Sequence, residues 1–579
     1  MPGSFIFLSP DELLSPSRNT SSMKFILQVS TIFCTFLPQI NPMRNLYIIT
    51  FLIISINSNA QVLTTELIQH YTFAEIEAVK DNLGVPDNLL ISQYEVDFYR
   101  IEYLTPHPNG SDVMASGVIC VPDAGTCALP ISSYQHGTIG KKTDAPSFQS
   151  TEGMLSMLYA AAGYLGVAAD YIGLGTGPGM HLYVHAESEA DACLDLLRAA
   201  VDLQDDLGFA LNGELFIWGY SQGGHATAAL QRKIELDAQD EFTITASVPM
   251  SGPFNISGVQ ADVITSDVPY PTPGYLPYVA LSYQEAYGTL YDNLEDIFKP
   301  EYAAILPGLF DGTHSMGEIN AACPSIPNEI LADGVLEAYE NDQDHPIRIA
   351  LRDNDLLDWA PQVPTIILYC NLDDQVNYQN SIVALAAFEE LGSTSVETQN
   401  MGPYNHGLCA PFAMFEGYNQ FESLRAPLFE ATVNTDIIAD VEGPEATGGI
   451  TVEVIAEGNW SFEWSNGSTE LSLSEVDGGE YTFTVISEDG CRLDYTFEVE
   501  TATSIVEIDK GIQFYPVPVT DKLRIDSDRN VGVQLFSVTG VLIESFLVQP
   551  GSFIDFSQFS AGVYILKTDS GQTHSILKK

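Results

Sequence analysis

The chain predicts a doubly wound α/β fold with a mostly parallel sheet and a cap insertion, followed by two small all-β units. Three observations carry this expectation. Between about residues 94 and 400, short apolar runs alternate with helical segments, the pattern of a sheet covered on both faces. That rhythm is interrupted between Gly252 and Pro364 by a stretch rich in Tyr, Pro and Leu. Beyond about residue 430 the pattern changes to strand-like alternation broken by Gly, Asn and Asp, with no helical period.

The first segment of the chain stands outside this fold. After Met43-Arg44 the apolar run Leu46 to Ile56 and the small-residue step Ser58-Asn59-Ala60 have the form of an export signal, so residues 1–60 are expected to be leader and signal peptide. A second apolar patch, Phe25 to Leu37, makes residues 1–42 either an over-extended reading frame or part of a longer leader. No other stretch is long and apolar enough for a transmembrane helix, and the mature product is expected to be soluble or surface-attached.

The α/β part is expected over residues 61–430. Tyr94–Leu104 and Asp112–Val121 read as a hairpin around Thr105 to Gly110. Strands follow at Ile131–Tyr134, Leu165–Ala169, Leu215–Trp218, Thr243–Met250 and Thr365–Tyr369, with helices near 150–163, 184–207, 223–238 and 378–391. An insertion at about 253–363, coming straight after a sheet strand, would sit over the carboxyl edge and wall an apolar pocket; the alternative is a subdomain away from the site. The two β-units are expected at 434–500 and 511–579, joined by Thr501–Lys510.

Composition narrows the function. With 579 residues the chain has room for three or so domains, and 45% hydrophobic residues argue for folded cores. The 77 Asp and Glu against 22 Lys and Arg give a formal net charge of -55. A polyanion without a basic stripe repels the phosphate backbone, so nucleic acid is excluded as a partner. Acidity spread along the chain suits solubility in a salty or extracellular medium better than Ca²⁺ binding, since no EF-hand-like run of ligands occurs.

Seven of the eight cysteines follow the expected cleavage site, where disulfides are permitted. A Cys370–Cys409 pair would brace the loops of Asp373 and His406, and Cys120 with Cys127 could close a small loop. Buried free thiols fit equally well, because connectivity is not readable from spacing.

Gly219-Tyr220-Ser221-Gln222-Gly223 is the only Gly-x-Ser-x-Gly in the chain. The pentapeptide alone is a weak signal; its setting is not. The apolar run Leu215–Trp218 leads into it and a helical segment from Gly224 follows, the strand-turn-helix of a nucleophile elbow. Small residues let the chain turn sharply, and the helix start aims N–H groups at developing negative charge. With that elbow the chain order is nucleophile, acid, histidine. Of the later histidines, His225 is on the elbow helix, His314 and His345 are in the insertion and His574 is in the last unit, which leaves His406 as the base. The acid should follow the strand Thr365–Cys370, where Asp373 is preferred and its neighbour Asp374 is the alternative. The oxyanion hole would use the N–H of Gln222 and one from Gln135-His136-Gly137-Thr138; Gly137 and Thr138 both remain open, Thr138 preferred. Asp170 to Gly175 would either line the pocket or form a turn held by its own aspartate. No metal spacing, phosphate loop or dinucleotide fingerprint is convincing, and no cofactor is expected.

On these pieces, the Gln135–Thr138 loop, Asp170–Gly175, Gly219–Gly224, Asp373-x-x-Val376 and the His406 loop, residues of about 94 to 426 resemble the α/β-hydrolases grouped with secretory lipases. The resemblance implies an ester hydrolase with a lid, while the divergent cap leaves acyl-chain preference open. Residues 511–579 resemble the C-terminal sorting domain of type IX secretion, on Phe514 to Leu523, Leu535 to Gly540, Ala561 to Lys567 and Leu577-Lys578-Lys579. Val517 stands where that family usually has Asn. This implies export across the outer membrane by its secretion machinery, followed by removal of the domain. The unit before it, with Trp464 to Gly467, Gly479 to Val485 and Asp489-Gly490-Cys491, is similar to the immunoglobulin-like repeats of gliding-associated surface adhesins, here as a single spacer or weak substrate-binding module. The expected activity is that of a secreted or cell-surface serine hydrolase on carboxylic esters: lipid, short soluble ester, acylated polysaccharide or polyester. A serine peptidase of the same fold, or a non-catalytic adhesion or glycan-binding protein, is the alternative.

Overall fold

A computed structural model of the chain describes residues 61–579 apart from positions 87, 442–445, 457, 503–511, 528, 538–540, 570 and 572. The expected leader and its cleavage site lie outside the described residues, as does most of the expected linker.

The main sheet is built from β1 (Val62–Tyr71), β2 (Val96–Pro106), β3 (Asp112–Pro122), β4 (Ala128–Gln135), β5 (Leu165–Ala169), β6 (Ala210–Tyr220), β7 (Ile244–Met250), β8 (Thr365–Tyr369) and β9 (Val396–Asn400). Their order across the sheet is β1-β2-β3-β5-β4-β6-β7-β8-β9. The β1-β2-β3-β5 neighbours are antiparallel, and every pairing from β5 through β9 is parallel. Parallel strands need crossovers, supplied by α2 (Thr151–Ala161), α3 (Ala186–Asp202), α4 (Gln222–Asp237) and, beyond the insertion, α8 (Gln379–Glu390). Because successive residues of a strand face opposite ways, Ile217 and Trp218 of β6 enter different cores. Ile217 packs with Leu194 and Leu197 of α3 and Leu230 of α4. Trp218 packs with Met157 and Leu158 of α2 and with Ala413 and Phe421 of α9 (His406–Leu424).

Two elements go beyond the expected set. The strand β1 and the helix α1 (Phe73–Leu83) precede the hairpin, and β1 extends the sheet by pairing with β2. As an edge strand, β1 leaves most of its side chains in water, so its sequence lacks a clean buried alternation. The cysteine pairing also differs in part. Cys370 and Cys409 are bonded, but Cys127 pairs with Cys491, 364 residues away, and Cys120 is free. Cys120 belongs to the core under α2, whereas Cys127 belongs to the opposite core together with Cys491, so the sheet itself separates Cys120 from Cys127.

The insertion between β7 and β8 is a set of short helices, among them α5 (Tyr275–Tyr287), α6 (Val335–Asn341) and α7 (Pro346–Asp353). It has its own apolar core around Tyr278, Tyr283, Phe298, Leu306 and Ile319. No helix of the described residues is long and apolar enough to cross a membrane.

Two β-units follow. In the first, the sheets Ala431–Ile438/Gly448–Ala456/Ser472–Val476 and Trp460–Trp464/Gly479–Ser487/Arg492–Val499 share a core of Ile450, Val452, Trp464, Phe483 and Val485. Its first strand begins earlier than the expected 434. Besides the Cys127–Cys491 bond, it meets the main sheet region through Arg492 N–H to Tyr94 Oη (2.8 Å) and Thr126 N–H to the Asp489 carbonyl (2.9 Å). The second unit pairs a three-stranded sheet with a four-stranded one around Leu523, Ile525, Val533, Leu535 and Leu566.

Candidate active site

The carboxyl ends of β4, β6 and β8 and the start of α9 supply the site. Ser221 lies between β6 and α4 with φ 63° and ψ −122°, a backbone conformation that side-chain-bearing residues adopt only under strain. The turn needs close backbone approach. A Cβ on Gly219 would meet the carbonyl oxygens of Gln135 and Gly223, and one on Gly224 would run into that of Met250. The Ser221 N–H donates to the Met250 carbonyl at 2.9 Å, pinning the elbow to β7. The serine is 6% exposed and opens onto a cavity.

Asp373 and His406 are in direct contact: the imidazole Nδ1 lies 2.7 Å from Asp373 Oδ2. The other carboxylate oxygen accepts the N–H groups of Gln375 (3.0 Å) and Val376 (2.9 Å). One oxygen therefore fixes the loop while the other holds the ring, which places the proton on Nδ1 and leaves Nε2 a free acceptor. Asp374 has a separate task. Its Oδ1 accepts the backbone N–H of His406 at 3.1 Å, satisfying a donor that the start of α9 leaves orphaned. His406 is the first residue of that helix, not part of a loop projecting beyond β9 as expected. Tyr220 closes the arrangement, its ring centroid 4.9 Å from that of His406 and its hydroxyl donating to the His406 carbonyl at 2.7 Å. The Cys370–Cys409 bond ties the end of β8 to the first turn of α9.

Gln222 is the first residue of α4, so its N–H has no acceptor within the helix. Thr138 Oγ1 lies 3.0 Å from the hydroxyl of Tyr183, which lines the same cavity as Gln222. The loop bearing Thr138 is shaped by His136, whose Nε2 is 3.2 Å from the Asp170 carbonyl and whose own carbonyl accepts from Tyr171 Oη. Asp170 braces this turn and does not line the cavity. It is fully buried and accepts from Ser116 Oγ (2.5 Å) and the Ser147 N–H (2.9 Å), and burial raises its pKa above the usual carboxylate value.

Behind Gln222 stands a buried network that sequence reasoning missed. Its amide Nε2 is 2.7 Å from Glu189 Oε1 and 2.8 Å from His181 Nε2, and the second Glu189 oxygen is 2.8 Å from His225 Nδ1. Burial pushes the His181 pKa down to about 3. The only signal was Glu189 itself, an acidic residue on a helix face that is otherwise apolar.

The cavity in front of Ser221 and Gln222 has a volume of about 1010 Å³ including its open mouth, and its far walls are Ile264, Leu276, Val279, Leu290, Val335 and Ile347. The tyrosines of the insertion present rings to one another and turn their hydroxyls onto the sheet-edge loops. Tyr270 donates to the Gln375 carbonyl (2.7 Å), Tyr275 to Gln375 Oε1 (3.1 Å) and Tyr278 to the Ile139 carbonyl (3.1 Å). The insertion is thus a cap docked on the loop after Asp373 and on the loop after Thr138. Among the described residues, no group of His, Cys, Asp and Glu is arranged to hold a metal ion.

Residues 142–236 match the family model described as secretory lipase. The crystal structure of the rice cell wall degrading esterase LipA from Xanthomonas oryzae is 28% identical and superposes with a TM-score of 0.57, over 63% of this chain and 99% of that one. The main sheet region is an α/β-hydrolase of the esterase and lipase kind. A ligand-bound form of the same esterase superposes at 0.58 with the same identity and coverage. A candidate hydrolase from Legionella pneumophila subsp. pneumophila is 26% identical at a TM-score of 0.59, over 63% of this chain and 98% of that one. No curated protein matches the sequence of this hydrolase significantly. Residues 513–579 match the model of the secretion system C-terminal sorting domain, and the hydrolase is accordingly an exported protein, secreted or held at the cell surface.

Proposed function

We propose that the protein is a serine esterase or lipase in which Ser221, His406 and Asp373 form the catalytic triad and apolar acyl chains enter the cavity beneath the cap. The observation that carries this reading is the 2.7 Å contact between Asp373 and the His406 ring, at the edge where the strained elbow presents Ser221 to an apolar cavity. Ser221 Oγ attacks the ester carbonyl as His406 Nε2 takes its proton, and Asp373 stabilises the imidazolium that results. The N–H groups of Gln222 and Thr138 hold the oxyanion. His406 returns the proton to the leaving alcohol, and water activated by the same ring releases the acid. No cofactor takes part. Residues 61–430 form the catalytic part with its cap at 253–363, 434–500 a covalently stapled module, and 511–579 the domain that engages the outer-membrane secretion machinery.

The test is a chain-length series of p-nitrophenyl esters run beside peptide anilides on the wild type and on Ser221→Ala. Hydrolysis of medium and long acyl esters, absence of anilide cleavage and loss of all turnover in Ser221→Ala are expected. Comparable anilide cleavage would make it a peptidase.

A further inference from the structure

The network behind the elbow is fully buried: Glu189 is 1% exposed, His225 0%, Gln222 1% and His181 3%. A buried carboxylate is costly unless it is paired and hydrogen-bonded, so four such groups in contact call for a reason beyond packing. Donor and acceptor roles follow from their partners. His225 Nδ1 faces Glu189 Oε2 (2.8 Å) and its Nε2 faces the carbonyl of Asn354 (3.1 Å). Both are acceptors, so the His225 ring bridges the Glu189 carboxylate and the Asn354 carbonyl. His181 Nδ1 lies 3.0 Å from the Ile172 carbonyl, so Nδ1 carries its proton and Nε2 accepts. The NH₂ group of Gln222 then has two acceptors to fill, Glu189 Oε1 at 2.7 Å and His181 Nε2 at 2.8 Å. Its own Oε1 finds no partner, so the two acceptors on the other side fix which way the amide faces.

This clamp acts on the residue directly after Ser221. Gln222 begins α4, where its backbone is anchored only by the next turn of the helix, and two hydrogen bonds on its side chain restrict that freedom. The clamp also reaches the cap. Asn354 comes directly after α7, its Oδ1 accepts the N–H of Ala186 at the start of α3 (2.7 Å), and its Nδ2 donates to Tyr287 Oη of α5 (2.9 Å).

We propose that Glu189, His225 and His181 are positioning residues that hold the Gln222 side chain and thereby aim the Gln222 N–H at the oxyanion, with Asn354 linking this clamp to the cap. The proposal rests on the triad reading above, since a donor has to be aimed only if Ser221 is the nucleophile. None of these residues touches the reacting atoms. A donor misplaced by a fraction of an ångström weakens transition-state binding more than substrate binding, so the effect belongs in kcat.

The experiment uses the full chain, a short soluble p-nitrophenyl ester and a fluorophosphonate probe. Gln222→Met keeps the bulk and the backbone N–H while removing both hydrogen bonds; Glu189→Gln keeps the shape and removes the charge. In both variants kcat is expected to fall roughly tenfold or more with KM within about twofold, and phosphonylation of Ser221 is expected to slow in parallel. A folded Gln222→Met protein with kcat and phosphonylation within about twofold of wild type overturns the proposal while leaving the triad intact. Failure of both variants to fold also overturns it, since the network would then be a folding element. A wild type that hydrolyses esters without labelling at Ser221 removes the triad reading and this proposal together.

Discussion

At the sheet edge, the polar side chains that flank Ser221 are held by specific partners: Asp373 by two N–H groups and the His406 ring, Asp374 by the start of α9, Gln222 by Glu189 and His181. Across the cavity the cap offers Ile264, Leu276, Val279 and Val335, side chains with no directional bonds, and its tyrosine hydroxyls are turned onto the edge loops. The edge presents directionally held polar groups to the cavity, whereas the cap presents an apolar wall. On the proposed reading, the rate of bond cleavage belongs to the first and the choice of acyl chain to the second. Changes at the edge should lower kcat for every ester alike, whereas changes in the cap should reorder esters.

The largest effect is expected at the edge. His406→Ala should lower kcat by roughly 10⁴–10⁶-fold on all esters, read from initial rates at saturation. Asp373→Asn should cost about 10⁴-fold by losing the ring's orientation, whereas Asp374→Asn should cost less than about tenfold because it caps a helix and does not touch the imidazole. Equal losses at the two aspartates would erase the distinction drawn between them.

The cap comes next. Val279→Trp fills the cavity and should reduce kcat/KM for a long-chain ester by roughly 10–100-fold relative to an acetate ester, with acetate hydrolysis nearly unchanged. A uniform loss across chain lengths would show that the cap and the edge are not separable.

Smaller effects concern stability. Replacing Cys370 and Cys409 together removes a staple between positions 39 apart in sequence and should lower unfolding stability by about 2–4 kcal/mol in denaturant titrations. His181, depressed to about 3 by burial, stabilises the fold above the pKa of the unfolded ring, and that contribution is lost as pH falls from about 6.5 toward 3. The stability difference between wild type and His181→Gln should thus narrow on acidification, by at most about 1.4 kcal/mol per pH unit, in melts between pH 7 and pH 5.

The contrast between the two regions also explains what is legible in the sequence. Alternation of apolar strands and helices exposes the parallel sheet, because each strand at its centre is buried on both faces and must read as a continuous apolar run. The elbow is readable because a sharp turn with close backbone contacts needs Gly at Gly219 and Gly224. The cap is readable as an interruption, and its Tyr-rich stretch as a pocket wall, but not the tyrosine hydroxyls docking it on Gln375 and Ile139, which depend on three-dimensional approach. The strand β1 escapes notice because an exposed edge imposes no buried period. The Cys127–Cys491 bond joins two units 364 residues apart, and no local pattern encodes such a distance. The Glu189–His225 pair is hidden for a similar reason. The place of His225 on the elbow helix disqualifies it as the base, yet that same place is what puts it behind Gln222.

The most direct test of the central claim is peptide mapping of the protein after complete reaction with a fluorophosphonate. One adduct per chain is expected, on Ser221, with ester hydrolysis lost in proportion to labelling. Hydrolysis that persists after Ser221 is fully modified, or an adduct on any other residue that accounts for the lost activity, would contradict it.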